Sequence, residues 1–481
     1  MSLRKRRFVM IICVISFCNI YAQLIFPTKN ESSQIQFFKP ENKDLFVGDP
    51  MPFYKSPYFH IFWLLDQNHH EGMNGLGGHI WAHSISTDLK SWKHYKNSIE
   101  ITDKEEKSIC TGSVIYYDGL YYAFYALRTD INGDGKKEEF LKLATSKNGI
   151  DFEKTPESRF KIVPDTSLSQ MHFRDPFVYY DSDKKHFLMI VSTAKKNTQP
   201  NTTTYGLLVY YVSKNLRKWK YMGTYLEPNL GFIPECPDLF KWGNTYFLLY
   251  TPGGGTRYAY SDSPYGPWKM PSNNNLGCDY AYVYKTATFN YDRKIAVGFV
   301  PSKENSKNDG AWQYAGNMIL KELIREKDNQ LSFKQVEELI QTYSKELTLD
   351  PIEVNEQVKQ SIPNVPTNAR LKANIQINKP NSIIEWMIRV DDKGYGYPLK
   401  IDLEKNELTL SNSKVNFNKI QDLNIELDIV MQNDIIDVCV NGVRCITNRC
   451  PEYKGNKINF YAYKGAYTIK ECKISELKSS P

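Results

Sequence analysis

One phrase recurs through the first two thirds of the chain and limits its fold more than any other feature. Ser84-Ile85-Ser86-Thr87-Asp88-Leu89-Lys90-Ser91-Trp92 is the clearest copy. Residues 144–152, ending Gly149-Ile150-Asp151-Phe152, repeat it, as do 211–219, ending Leu216-Arg217-Lys218-Trp219. A looser copy, 259–268, ends Tyr265-Gly266-Pro267-Trp268. Each copy reads as a strand ending in serine, a polar turn, and an aromatic able to pin a following strand. The closing aromatics fall 60, 67 and 49 residues apart. Short β-like runs lie between the copies, at 59–64, 120–125, 186–191 and 245–250, with further runs at 281–286 and 295–300. A period of this length with several short strands per unit predicts the blades of a β-propeller. Five such units end near residue 330. Aromatic residues make up 14% of the chain, which suits a pleated all-β framework and also sugar binding.

The predicted propeller spans residues 23–335. A helical patch is expected over 332–345 from the spacing of Val336, Leu339 and Ile340. It opens a helical and linker segment, 336–366, that runs through Pro351, Pro363 and Pro366. Residues 367–481 read as a separate β-sandwich with turns such as Asp391-Asp392-Lys393-Gly394. The Asn441-Gly442 pair between apolar runs signals a hairpin.

The net charge is +7, and Arg4, Lys5, Arg6 and Arg7 supply four of those charges. They precede an apolar run, 8–17, and Ile20-Tyr21-Ala22 offers a small residue at a cleavage point. Residues 1–22 therefore read as a signal peptide, placing the mature chain outside the cell or in a periplasm. Cys18 offers a lipoprotein alternative, and the bulky Phe17 before it argues against one. The apolar run is too short for a comfortable membrane span. No basic stripe or nucleic-acid motif is present, so a nucleic-acid partner is not expected. The nine cysteines fall to seven after cleavage, an odd number in a large chain, so no disulfide scaffold is expected. Cys439, Cys445 and Cys450 cluster at one hairpin, where one bridge is possible and buried free thiols fit better. None of the spacings is that of a zinc site.

Three acidic motifs carry the chemistry: Gly48-Asp49-Pro50, Phe173-Arg174-Asp175-Pro176 and Glu235-Cys236-Pro237-Asp238. Each sets a carboxylate beside a proline that fixes the local backbone. With these motifs the chain resembles glycoside hydrolase family 32, the β-fructofuranosidases, inulinases and levanases. The second and third motifs match that family's Arg-Asp-Pro and Glu-Cys-Pro-Asp boxes. The segment 81–92 resembles its first-blade phrase, Thr111-Gly112-Ser113 its second-blade Ser-Gly-Ser, and 312–323 the end of its propeller. The resemblance covers most of 45–325. It implies a five-bladed propeller with the active site in a central funnel.

The resemblance also implies roles. Asp49 would be the nucleophile that forms a covalent fructosyl intermediate. Glu235 would protonate the leaving oxygen and then activate water. Asp175 would bind sugar hydroxyls, and Arg174 would restrain Glu235. Asp66, Trp81, His83, Ser113 and Cys236 join Arg174 as expected substrate-binding residues. Retention asks for the two principal carboxylates about 5–5.5 Å apart. The first box departs from the family form Asn-Asp-Pro-Asn-Gly, since Gly48 and Met51 replace the two asparagines that contact the sugar.

The expected activity is hydrolysis of terminal β-fructofuranosidic bonds in levan, inulin or sucrose-type sugars, with an oligo- or polysaccharide as partner and no organic cofactor. The alternatives are a fructosyltransferase, an inverting five-bladed arabinan or xylan hydrolase, and a carbohydrate-binding protein with an altered site. Asp130, Asn132 and Asp134 resemble the start of a calcium loop, although Leu141 stands at its twelfth position. The histidine-rich stretch around His69, His70 and His79 reads as a loop at the funnel rim rather than a metal site. Gly253-Gly254-Gly255 reads as a tight turn near the funnel.

Overall fold

The computed structural model describes residues 35–130, 133, 136–196, 205–277, 282–340, 346–417 and 423–477. The signal segment, Asn132, Asp134 and Cys278 lie outside the described residues. The chain is a five-bladed β-propeller followed by a β-sandwich. Blade I comprises Leu45–Lys55, Tyr58–Gln67, Ile80–Ser86 and Lys93–Ile99. Blade II comprises Glu106–Tyr117, Leu120–Thr129, Glu138–Ser146 and Glu153–Lys154. Blade III comprises Leu168–Asp181, His186–Lys195, Gly206–Ser213 and Lys220–Leu226. Blade IV has Glu235–Trp242, Thr245–Thr251 and Arg257–Ser261, flanked by a bridge from Tyr260 to Lys269. Blade V has Tyr282–Phe289, Arg293–Lys303, Trp312–Arg325 and Leu331–Lys334.

The recurrent phrase forms the turn between the third and fourth strands of a blade, and its chemistry is repeated. Asp88 Oδ1 accepts the backbone N–H groups of Lys90 and Ser91, and Asn148 and Asn215 do the same in blades II and III. These are Asx turns, which supply the backbone partners a tight turn lacks. The closing aromatic then reaches the preceding blade rather than the next strand. Phe152 packs edge-on to Phe62, Trp219 to Phe124, and Trp268 lies tilted on Tyr225. The phrase therefore sets both the turn and the blade-to-blade packing.

The ring is closed by the segment before blade I. Phe37 N–H donates to Met318 O, and Met318 N–H donates to Phe38 O, each at 2.8 Å. Gln36 accepts the N–H of Leu320 at 2.8 Å, so 36–38 extend blade V before the chain enters blade I. Buried Lys285 of blade V reaches Gly112 O of blade II at 2.8 Å and lies over the Phe177 ring of blade III, joining three blades.

The expected helix over 332–345 does not form among the described residues. Leu331–Lys334 is the fourth strand of blade V, and Glu337–Leu339 is a single 3₁₀ turn. Val336 and Leu339 are spaced for a helix because that one turn buries both against blades I and V. The 336–366 segment is likewise not a free linker. Leu347–Leu349 and Ile352–Asn355 pair with Ala466–Glu476, and Gln360–Ile362 pairs with Lys457–Lys464. These strands are edges of the two sandwich sheets.

The first sandwich sheet is built on Ala369–Ile377, Asn424–Gln432, Ile435–Val440 and Arg444–Arg449, and the second on Ile383–Val390, Tyr397–Asp402 and Glu407–Leu410. Asn441 and Gly442 both have positive φ, as the hairpin signal requires. Cys439 and Cys445 face each other across it as buried free thiols. Buried Lys321 of blade V pairs with Asp437 at 2.5 Å, and Arg449 donates to Val300 O and Pro301 O, joining sandwich to propeller. Among the described residues no helix is long and apolar enough to cross a membrane.

Candidate active site

The innermost strand of every blade carries the same irregularity. In blade I, Gly48 pairs with Leu64 and Met51 with Phe62, so Asp49 and Pro50 share one partner, Trp63. In blade II, Cys110 and Thr111 stand opposite Ala126. In blade III, Asp175 and Pro176 stand opposite Val191, and in blade IV, Cys236 and Pro237 opposite Tyr250. In blade V, Val283 and Tyr284 stand opposite Gly298. Each is a two-for-one β-bulge, which bends a strand and re-aims a side chain. It also explains the prolines of the acid motifs. A bulge leaves one residue outside the ladder, and proline has no N–H to leave unpaired there. Asp175 and Cys236 take left-handed backbones, with φ of 57° and 53°. Gly112 follows the blade II bulge, where a Cβ would lie 1.8 Å from Phe124 O, so only glycine fits.

The bulges converge on a funnel of about 370 Å³, lined on the acidic side by Asp49, Asp175, Glu235 and Cys236. Cys236 stands between the two aspartates. Its Sγ is 3.8 Å from Asp49 Oδ2 and 3.6 Å from Asp175 Oδ2, and its N–H donates to Asp175 at 2.9 Å. Thr111 donates to Asp49 Oδ2 at 2.6 Å, while Asp49 Oδ1 is buried and makes no hydrogen bond among the described residues. Burial raises the pKa of Asp49, the negative charge of Glu235 adds to the rise, and the Thr111 hydrogen bond opposes it. Burial also raises Asp175, to about 7, against the pull of Arg174 and with a further push from Glu235 and Asp49. Burial and the neighbouring carboxylates keep the Cys236 thiol protonated.

Arg174 holds Glu235 through Nε at 2.9 Å and a terminal nitrogen at 2.5 Å, both on Oε1. Its other terminal nitrogen donates to Glu139 Oε2 at 3.0 Å. Glu139 is fully buried and also receives Arg128 through two contacts of 2.8 and 3.0 Å. Burial alone would raise its pKa, but Arg174 and Arg128 overcome that and hold it at about 2. Glu139 is thus a permanent counter-charge that keeps Arg174 aimed at Glu235. No motif marked it in the sequence, because its partners lie 11 and 35 positions away.

The remaining expected substrate-binding residues brace the bulges from behind. Trp81 is buried and donates its indole N–H to Cys110 O at 2.9 Å. His83 is buried, stacked on Phe62 and paired with His60 at 3.0 Å. Ser113 donates to Pro176 O at 2.9 Å and accepts Val178 N–H at 3.0 Å, tying blade II to the blade III bulge. None of the three lines the funnel. The aromatic and hydroxyl side chains of a half-buried strand look alike in sequence whichever face they take.

Asp66 is buried as well. It accepts the backbone N–H of His69 and His70 and the ring N–H of His79, at 2.9, 2.8 and 2.9 Å. His79 is buried, which alone would lower its pKa; hydrogen bonds to Asp66 and Cys110 raise it to about 9. Asp66, His70 and His79 have ligand-type atoms within 4.8 Å of one another. Asp66 already takes three donors and Arg128 donates to His70 Nε2 at 2.9 Å, so hydrogen bonds use the lone pairs a cation would need. His70 lines the funnel, as do Gly253, Gly254, Trp312 and Tyr314.

This arrangement offers a nucleophilic carboxylate with one oxygen tied and one untied, an acid clamped by an arginine, and a third carboxylate protected from water. It can carry a double displacement at a glycosidic carbon. The model of the glycosyl hydrolases family 32 N-terminal domain matches residues 38–335. A sucrose-6-phosphate hydrolase of Escherichia coli is 26% identical over 325 residues, 59% of this chain and 65% of that protein. A raffinose invertase of Escherichia coli is 25% identical, over 62% of this chain and 68% of its own length. The matched region thus spans about two thirds of these curated relatives. Among solved structures, fructan 1-exohydrolase IIa from Cichorium intybus superposes with a TM-score of 0.72 at 16% identity, covering 94% of this chain and 97% of that one. Exo-inulinase from Aspergillus awamori gives 0.71 at 15% identity, covering 94% and 100%. Those likenesses extend the shared fold through the sandwich.

Proposed function

The chain belongs to glycosyl hydrolase family 32, and from that premise we propose that it hydrolyses terminal β-fructofuranosidic bonds with retention at the anomeric carbon. One observation carries the reading: Asp49 and Asp175 occupy matching bulges in blades I and III, Glu235 immediately precedes the bulge of blade IV, and Cys236 in that bulge lies within 3.8 Å of both aspartates. Asp49 attacks the anomeric carbon through its untied Oδ1 and forms a fructosyl ester. Glu235 gives its proton to the leaving oxygen, then takes one from the water that opens the ester. Asp175 holds sugar hydroxyls, and those contacts strengthen as positive charge grows on the ring.

The test is release of free fructose by the mature chain from sucrose, sucrose 6-phosphate, 1-kestose, inulin and levan, with arabinan as the control. Glu235→Gln and Asp49→Asn run beside it. Free fructose from none of these sugars overturns the reading. Products longer than the donor at high substrate concentration show transfer in place of hydrolysis. Inversion at the anomeric carbon, read by NMR, excludes the ester. Export is part of the proposal and rests on the basic, apolar and small-residue order of 1–22; its test is the N-terminal residue of the secreted product.

A further inference from the structure

Gly48 and Tyr314 compete for one place. A Cβ built on Gly48 would lie 2.6 Å from the Tyr314 hydroxyl oxygen and 3.0–3.1 Å from two of its ring carbons. Tyr314 enters from blade V and lines the funnel together with Asp49. Its ring is wedged edge-on against Phe299 and His70, at centroid distances of 5.6 and 5.3 Å, and lies tilted on His79 at 5.5 Å. The His69 ring donates to the Tyr314 carbonyl at 2.8 Å. Asn68, His69 and His70 all have positive φ, a costly run that the two backbone hydrogen bonds to Asp66 sustain. Asp66, the histidine loop and Tyr314 therefore form a single seat, and its outcome is the position of one hydroxyl.

We propose that Tyr314 is the positioning residue for Asp49 and that Gly48 is its matched partner, so that a blade V hydroxyl supplies the polar group that a side chain at 48 does not. The proposal rests on the fructosidase reading of Asp49 and deepens it. Asp49 is faced by Thr111 from blade II, Arg174 and Asp175 from blade III, Glu235 and Cys236 from blade IV, His79 from the loop after Gln67, and Tyr314 from blade V. Burial and Glu235 favour its protonated form; Thr111, His79 and Tyr314 favour the carboxylate. Loss of the Tyr314 hydroxyl therefore raises the pKa of the nucleophile.

The experiment compares the full chain with Tyr314→Phe, Gly48→Asn and the double variant Gly48→Asn/Tyr314→Ala, by kinetics on the best fructosyl substrate and by thermal melting. Tyr314→Phe is expected to lower kcat about tenfold, with KM within about twofold, as loss of a hydroxyl that favours the charged nucleophile does. It also moves the acid limb of kcat/KM to higher pH. Gly48→Asn is expected to melt lower than the parent, and the double variant to melt above Gly48→Asn and regain at least about tenfold of its activity. An unmoved acid limb with unchanged kcat in Tyr314→Phe overturns the proposal. So does a double variant that melts no higher than Gly48→Asn. The melting comparison decides the pairing whether or not the chain cleaves fructosides. If Gly48→Asn does not fold while the double variant does, the pairing stands.

Discussion

Blades I and III present acids at the funnel from their bulges and blade IV presents Glu235 from the position before its bulge, whereas blades II and V present Thr111 and Val283 from theirs. The bulge is common to all five, so the aim of the Asp49 and Asp175 carboxylates is a property of the repeat. The choice of residue at and beside the bulge makes a blade catalytic. Val283 makes the point most sharply. A β-branched residue resists the left-handed region, yet Val283 adopts φ of 55° with no acid to deliver. Such strain costs on the order of 1–3 kcal/mol and persists because the blade imposes it. The two non-acidic blades serve in other ways. Blade II ties Asp49 through Thr111, and blade V reaches blade II through Lys285 and seats Tyr314.

The difference breaks most completely when an acid blade is made like the others. Asp49→Asn and Glu235→Gln are each expected to lower kcat by at least about 10³-fold, since each removes a group that makes or breaks a bond. Single-turnover kinetics on a fructosyl substrate measures this. A loss below about tenfold in either variant would show that the acid blades are not the catalytic ones.

Asp175→Asn comes next, with an expected loss of about 10²-fold in kcat. It carries an opposite effect on stability. The folded pKa of Asp175, about 7, lies above the ordinary 3.8, so the folded chain holds a proton that the unfolded chain releases. Stability from this group is therefore full below pH 4 and is lost as pH rises toward 7. Asparagine does not titrate. The variant should melt at or above the parent at pH 8, with the advantage gone at pH 4. Melting curves at the two pH values test the sign.

The acid motifs were legible because Asp49-Pro50, Asp175-Pro176 and the Cys236-Pro237 beside Glu235 carry the bulge in their own residues. The propeller was legible because the Asx turn and its aromatic are local and repeated. Glu139 was not, since a buried counter-charge is defined by guanidinium groups distant in sequence. Trp81, His83 and Ser113 sit on strands that carry the site, and sequence alone does not distinguish the funnel end of a strand from the contacts behind it. The helix over 332–345 was misread because the i, i+3 spacing of Val336 and Leu339 fits one 3₁₀ turn as well as a helix. Tyr314 was not legible either, since its close approach to Gly48 joins residues distant in sequence.

Glu139→Gln tests whether the acid blades depend on a charge delivered by blade II. Removal leaves Arg174 and Arg128 sharing a buried site without their anion, and breaking a buried pair costs roughly 3–5 kcal/mol. Activity should fall about 10-fold to 10²-fold as Arg174 loses its hold on Glu235. The folded pKa, about 2, lies below the ordinary 4.5, so this stabilisation is present above pH 4.5 and lost as pH falls toward 2. The melting gap between parent and variant should therefore be widest near neutrality and close in acid.

The smallest effect belongs to Thr111→Val, which makes the blade II bulge mute while keeping its shape. Thr111 is buried, so the isosteric valine preserves packing and removes one hydrogen bond, 2.6 Å long, to Asp49 Oδ2. A hydrogen bond to a charged group contributes about 1.5–3 kcal/mol, and part of it survives through Cys236. The expected loss in kcat is about tenfold at pH 5. Asp49 must be ionised to attack, burial has already raised its pKa, and Thr111 is among the groups that oppose the rise. Removing it moves the acid limb of kcat/KM upward, so the deficit should shrink as pH rises past that limb. A deficit independent of pH would mean that Thr111 only shapes the wall. A deficit that follows the limb would show that a blade without an acid sets the charge of the blade beside it.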